Sequence, residues 1–399
     1  MLKYLTAKEK NLSRDLWEEA FPEDSKSFDD YYYREKTRDN RILAAVEDGQ
    51  IQAMVQMNPY LLQAGGRRWR VDYLVGVATR KEKRHQGYMR RLLERMMADL
   101  REEQMPFCYL MPAAEAIYRP FGFTYIFRQP EWELVNEDGL TRRPLLGVDE
   151  RGGAAENHWA DEGRGAVKDS RVDENRHAGM NSGAVRYESS VTPWRDTAGK
   201  RRYLEWLADW MNRWLERRYQ VFAVRDDRYL LRLMEEIVSE NGTFDVLYDQ
   251  DAMIGVQATW GWTDKEQRLL YCEAPYVREA AEPKPAIMAR IITPEQFVKA
   301  VHLKQQAKED ELTLRLYLED PLLPENQGVW LWHLERESSW MERAGSEQEK
   351  SGAERSEADL RLTITELTSW LFGYNVPEAA KPFEDKIETL KHVFLDEVV

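Results

Sequence analysis

Apolar positions recur along the chain with two periods, and each period predicts an element. Leu12, Leu16, Trp17, Ala20 and Phe21 fall at helical spacing over residues 8–21, and Pro22 ends the predicted helix. Arg41–Glu47 and Ile51–Asn58 alternate as strands about Asp48-Gly49, a strong hairpin signal, and a further hairpin closes at Gly65-Gly66. An apolar run, Val71–Ala78, gives way to a basic turn and then to Leu92, Leu93, Met96 and Leu100 at helical spacing. Pro106–Met111 reads as a buried strand, Ala113–Tyr118 as a short helix broken by Pro120, and Phe123–Phe127 as another strand.

Between Asp149 and Arg186 few large apolar residues occur, and the stretch from Asn136 to Gly199 is rich in Gly, Asp, Glu, Arg and Asn. Such a segment buries too little surface to offset its ordering entropy, which predicts a long mobile excursion. Tyr203, Leu204, Leu207, Trp210, Met211, Trp214 and Leu215 then mark an amphipathic helix. A short strand at Phe222–Val224, a helix over Tyr229–Val238 and a meander of Thr243–Tyr248, Met253–Trp260 and Leu269–Tyr276 follow. Pro283 and Pro285 suggest a linker, Thr293-Pro294 a helix start, and Glu311–Glu319 a half-buried strand with Leu312, Leu314, Leu316 and Leu318 on one face. Val329–Leu334 returns as a strand, Glu335–Asp359 reads as a second polar excursion, and Leu360–Ile364 and Glu366–Phe372 as strand and helix.

Helices, then an antiparallel meander, then alternating strands and helices, predict an α/β fold whose sheet is mixed and largely antiparallel with flanking helices. The order repeats after residue 200 without a basic glycine turn, as a degenerate second copy of the first fold would. The expected domains are residues 1–137, a flexible excursion at 138–200, a second domain at 201–284 and a third at 285–399.

Composition narrows the function. With 399 residues, 43% hydrophobic, the chain is globular and long enough for more than one domain. The net charge of −14 argues against nucleic acid as a partner and favours cationic small molecules. Two distant cysteines, Cys108 and Cys272, and six scattered histidines suggest neither a disulfide framework nor a metal site. No apolar run approaches the length of about 18 residues that a membrane helix needs, and the first residues lack a signal-peptide core, so a cytoplasmic protein without a membrane partner is expected.

The turn carries the candidate chemistry. Arg84-His85-Gln86-Gly87-Tyr88-Met89 lies between a strand and a helix, where unpaired N–H groups, the helix dipole and Arg84 would suit a phosphate. Gly87 lets the main chain approach such a ligand, although an ordinary basic turn could have the same composition. Upstream, Glu23, Asp24, Phe28 and Tyr33 combine carboxylates and aromatic faces suited to a cationic amine.

The Arg84-x-x-Gly87 spacing resembles the pyrophosphate loop of the GCN5-related N-acetyltransferases (GNAT), with Met89 where a small residue is usual. Val77-Ala78 before it, and Ile117-Tyr118-Arg119-Pro120-Phe121-Gly122-Phe123 after it, are similar to the Eis (enhanced intracellular survival) family of multi-acetylating aminoglycoside N-acetyltransferases. The resemblance implies tandem GNAT-type folds followed by a sterol-carrier-protein-like α+β domain, acetyl-CoA as cosubstrate, and a homo-oligomer, trimer or hexamer. It also implies that Val75, Gly76 and Val77 hold the pantetheine arm, and that Arg84, His85, Gln86, Gly87, Tyr88 and Met89 cradle the pyrophosphate. Tyr118 would be the general acid, and the terminal carboxylate of Val399 the general base. The expected activity is direct acetyl transfer to an aminoglycoside-like, multi-amine acceptor. A non-catalytic acyl-CoA or lipid-binding sensor built on the third domain is the alternative.

Overall fold

A computed structural model describes residues 1–146, 198–344 and 358–397. The chain divides into two units, one of Met1–Trp132, Leu215–Val224 and Glu279–Val399, the other of Glu133–Trp214 and Arg225–Arg278. The elements run β1 (Leu2–Tyr4), α1 (Arg14–Ala20), α2 (Lys26–Glu35), β2 (Arg41–Glu47), β3 (Gln50–Ala64), β4 (Arg67–Thr79), α3 (Tyr88–Glu102), β5 (Phe107–Leu110), α4 (Glu115–Tyr118) and β6 (Thr124–Leu134). Then come β7 (Leu140–Leu146), α5 (Ala198–Glu216), β8 (Val221–Ala223), α6 (Asp227–Ser239), β9 (Thr243–Asp249), β10 (Ala252–Trp260), β11 (Glu266–Cys272) and β12 (Val277–Ile291). The last part holds α7 (Pro294–Phe297), β13 (His302–Leu303), β14 (Glu311–Glu319), β15 (Gly328–Glu335), β16 (Ser339–Arg343), β17 (Leu360–Thr363), α8 (Ile364–Leu371) and β18 (Ile387–Glu388).

In the first unit the described strands form a sheet ordered β1-β2-β3-β4-β5-β12-β6, with β8 pairing onto β3. Its meander is antiparallel, and β4 and β5, joined through α3, run parallel. The alternating pattern explains the two faces. Leu43, Val55, Met57 and Leu74 point to one side, where α3 lays Leu92, Leu93, Met96, Met97 and Leu100 over them. Each such buried side chain contributes about 1.5–3 kcal/mol relative to exposure. Ile42, Ala44 and Met54 point to the other side, against Leu16 and Trp17 of α1 and Phe28, Tyr31 and Tyr32 of α2.

The hairpin at Asp48-Gly49 has positive φ at both residues, 50° and 79°, as its sequence predicts. The first helix is shorter than expected: Lys10–Ser13 form a 3-10 turn ahead of α1, and Leu12 is 60% exposed. Its side chain falls off the apolar stripe because the 3-10 turn has a different pitch.

The expected linker is not one. Pro283 and Pro285 lie inside β12, whose last residues pair with β5 from Met288↔Leu110 to Ile291↔Phe107. Proline is tolerated there because β12 is exposed around residues 278–286 and becomes buried only from Ile287. The chain past 285 therefore begins inside the first sheet. Beyond it, β14 to β17 form a four-stranded sheet ordered β16-β15-β14-β17, with β14 and β17 parallel. Ser339–Arg343, expected to be part of a polar excursion, is a strand of that sheet because it supplies Trp340 and Met341 opposite His333 and Trp332.

The second unit has its own sheet, β11-β10-β9-β7. Residues 140–146, expected inside the excursion, form β7 and pair with β9. The rest of the excursion, 147–197, lies outside the described residues. Among the described residues no helix is long and apolar enough to cross a membrane.

Candidate functional site

The strand, turn and helix predicted from the sequence are present. On one side β4 pairs with β3 along its whole length, but on the other it meets β5 only at Asp72↔Cys108 and Tyr73↔Tyr109. From Leu74 to Thr79 its second edge has no strand partner among the described residues. The cause lies in β4 itself: Gly76 and Val77 face the single Val55, a bulge that bends the strand. Gly76 has φ 58°, and a Cβ there would fall 2.5 Å from the Trp17 ring, so glycine is required twice over.

The turn that follows is open. Arg84, His85, Gln86 and Gly87 are exposed, with Arg84 Nε donating to the Thr79 carbonyl (3.3 Å) and Gln86 Nε2 to the Glu82 carbonyl (3.0 Å). Gly87, at φ 78°, caps α3, and nothing lies within 4 Å of where its Cβ would be. The helix's first internal bond runs from Arg91 N–H to the Gly87 carbonyl (3.1 Å), which leaves the N–H groups of Tyr88, Met89 and Arg90 ahead of it. Open backbone donors at a helix start beside exposed Arg84 form a cradle that fits a pyrophosphate. Tyr88 and Met89 contribute main chain only, because their side chains point into the core. The Tyr88 hydroxyl donates to Glu47, and that bond raises its pKa.

Tyr118 ends α4 and is 7% exposed, in the same apolar cluster as Tyr88, Leu92 and Leu110. Its ring packs edge-on against Phe123 (6.0 Å between centroids), and its hydroxyl has no hydrogen-bond partner among the described residues. Burial pushes the phenol up to about 12. It is a neutral phenol in an apolar setting. Cys108 is fully buried in β5, and burial pushes its thiol well up, away from the reactive thiolate.

The residues expected to receive an amine are dispersed in role. Glu23 is exposed, and Asp24 accepts the Trp17 indole N–H (2.9 Å). Phe28 and Tyr33 are 5% and 7% exposed inside the α1–α2 aromatic cluster, where the Tyr33 hydroxyl meets Ser13 Oγ (3.0 Å). Val399 lies outside the described residues. The chain before it, through Glu397, is buried, and Phe394 N–H donates to the Val221 carbonyl of β8 (2.8 Å).

Sequence reasoning missed Arg290, which is fully buried and donates from Nη1 to the Phe121 carbonyl (3.0 Å), three residues past Tyr118. Its only signal is an arginine inside an apolar run, Ile287-Met288-Ala289-Arg290-Ile291-Ile292. Asp29, which the sequence also offers among the acidic residues beside Phe28 and Tyr33, is 5% exposed on α2, with Oδ1 unpartnered among the described residues.

Residues 1–126 match the model of the acetyltransferase (GNAT) domain, and residues 294–388 that of a sterol carrier protein domain. None of the curated proteins matches the sequence. Solved structures similar to the whole chain include a probable N-acyltransferase from Enterococcus faecalis, 16% identical, covering 98% of this chain and 93% of that one, with a TM-score of 0.66. A GCN5-related N-acetyltransferase from Kribbella flavida is 14% identical over 100% of both chains, with a TM-score of 0.63. Eis1 from Mycobacterium abscessus is 13% identical over 100% of both, with a TM-score of 0.61. At these identities the likeness establishes the fold: mixed α/β with GNAT-like sheets and a C-terminal domain like sterol carrier proteins.

Proposed function

We propose that this chain, with a GNAT acetyltransferase domain at residues 1–126 and a sterol carrier protein domain at residues 294–388, acetylates an amine of a cationic small molecule. A GNAT domain takes acetyl-CoA as cosubstrate. The observation that carries the reading is continuity: the unpaired edge of β4 after Tyr73 leads directly into the open N–H groups behind Gly87.

Acetyl-CoA supplies an activated acyl group whose departing sulfur needs a proton. The main chain of Val75, Gly76 and Val77 would hold the arm as a strand does. Arg84, His85, Gln86 and Gly87, with the N–H groups of Tyr88 and Met89, would hold the pyrophosphate. Tyr118 would donate the proton. At a pKa of about 12 it is a weaker acid than an ordinary thiol near ~8.5, so proton transfer to the departing sulfur is uphill on its own, and the proton released by the acceptor amine would return Tyr118 to the phenol. The net charge of −14 and carboxylates such as Glu23 and Asp24 favour an acceptor with several amines, of the aminoglycoside type. Resemblance extends the proposal to a cytoplasmic homo-oligomer, trimer or hexamer, with the Val399 carboxylate as base.

Thiol release from acetyl-CoA, measured against aminoglycosides, polyamines and lysine peptides, tests the reading. Turnover is expected with at least one multi-amine, and Tyr118→Phe should lower kcat by about 10²–10⁴-fold while acetyl-CoA affinity stays within about twofold. No thiol release with any acceptor would refute the activity, and unchanged turnover in Tyr118→Phe would remove that residue from it.

A further inference from the structure

A buried charge pair lies directly behind the segment that carries Tyr118. Arg290, on β12 opposite Cys108 of β5, is 0% exposed. Its Nη2 donates to both carboxylate oxygens of Asp320 (2.7 and 2.8 Å), also 0% exposed, and its Nη1 to the Phe121 carbonyl (3.0 Å). Asp320 in turn accepts from Leu322 N–H (3.3 Å), Leu323 N–H (3.2 Å) and Asn326 Nδ2 (2.9 Å), so the guanidinium is held by a fixed acceptor.

The far end of this chain of bonds is short. Phe121 closes the 3-10 turn Arg119–Phe121 that begins at Tyr118, and Gly122 N–H returns to the Arg119 carbonyl (3.0 Å). Phe123 N–H donates to the Tyr118 carbonyl (3.4 Å), and its ring meets the Tyr118 ring. Gly122 takes φ 77°, and a Cβ there would fall 2.0 Å from Arg290 Nη1, so the turn is seated against the guanidinium with no space between. From the other side the Arg90 guanidinium, in the first turn of α3, lies 5.3 Å from the centre of the Phe121 ring.

A buried ion pair is a poor source of stability, because desolvation offsets most of its attraction. It is, however, directional: an arginine fork bonds two acceptors at set angles, which an apolar contact cannot do. We propose that Arg290 and Asp320 are positioning residues, which fix the Arg119–Phe121 turn and through it the direction in which the Tyr118 hydroxyl points. Asp320, within the residues that match the sterol carrier domain, thereby acts through Arg290 on the geometry around Tyr118. The inference rests on Tyr118 being the proton donor.

A double-mutant cycle in thiol release tests it. Arg290→Lys keeps the charge, but its single ammonium cannot serve Asp320 and the Phe121 carbonyl together. In the wild-type background it should lower kcat by about 10–10²-fold, the effect of a displacement near 1 Å, with KM for acetyl-CoA within about twofold. In a Tyr118→Phe background the same change should alter kcat by less than about twofold, since the group it positions is gone. Equal losses in both backgrounds, or no loss in the first, would overturn the positioning role. If Tyr118→Phe alone leaves turnover intact, the premise about Tyr118 fails, and that result is read before the cycle is closed. Asp320→Asn, of the same shape, is carried through the same cycle with the same expectation, so that a misfolded Arg290→Lys does not decide the outcome.

Discussion

Asp29 sits on the buried side of α2 with Oδ1 unpartnered among the described residues, and burial, reinforced by the charge of Asp24, raises its carboxyl to about 6. The folded value lies above the ordinary 3.8, so the folded chain keeps a proton that the unfolded chain has already lost. The stabilising contribution is complete below about pH 4 and is lost as pH rises through about 6. Asp29→Asn, which needs no proton, should therefore raise stability by about 1–2 kcal/mol at pH 7.5 and leave it nearly unchanged at pH 4. Thermal melts at the two pH values check this, and a lower melting temperature at pH 7.5 would show that the ionised carboxylate is stabilising. Tyr118 offers a second pH test. With its phenol held at about 12 it remains protonated over the working range, so kcat/KM should rise with pH as the acceptor amine deprotonates and should show no decline up to about pH 10.5. An alkaline limb near pH 9 that disappears in Tyr118→Phe would contradict the burial of that hydroxyl.

The β4, turn and α3 unit separates two kinds of contact that a sequence motif runs together. Arg84 is exposed and within reach of any anion at the helix start, whereas the Tyr88 ring is committed to the core and to Glu47. Arg84→Ala should raise KM for acetyl-CoA by about 3–30-fold, as loss of a charge-assisted bond implies, and leave kcat within about twofold. With acetyl-pantetheine, which lacks the pyrophosphate, the variant and the wild type should have the same KM. A penalty that persists with the shorter donor would place Arg84 elsewhere. Elements of this length were legible because their information is local. Leu314, Leu316 and Leu318 alternate and are buried in β14, and Leu92, Leu93, Met96 and Leu100 recur on one face of α3. Where a second rule competes, the pattern misleads. Leu12 matched a helical stripe yet stands on a 3-10 turn, and Pro283 and Pro285 looked like a linker although an exposed stretch of strand tolerates them.

At the scale of the molecule, β12 is the second-to-last strand along the first sheet's path, lying between β5 and β6. Its residues Ile287, Met288, Ala289, Arg290 and Ile291 are all fully buried. α8 holds it from the C-terminal side, where Thr368 Oγ1 accepts the Ile291 N–H (3.1 Å). Residues 1–126, although they match a domain model, thus lack two strands of their own sheet, β8 and β12, and most of β6. A chain ending at Arg278 should leave the buried edges of β5 and β6 unpaired, and should aggregate or unfold without a cooperative transition. Calorimetry of that fragment checks this, and a sharp transition near that of the full chain would show β12 to be dispensable.

By itself the sequence determined the helix and strand faces, the Asp48-Gly49 hairpin and the open turn at Gly87, because periodicity and positive-φ glycines act within a few residues. Only the tertiary structure decided that β8 and β12 join the first sheet, that Phe28 and Tyr33 pack in its core, and that Arg290 reaches across 169 positions to the Phe121 carbonyl. The physical reason is that strand edges offer every partner the same N–H and carbonyl groups. An apolar face shows that a segment will be buried, while the choice of neighbour depends on how the whole chain satisfies those groups at once.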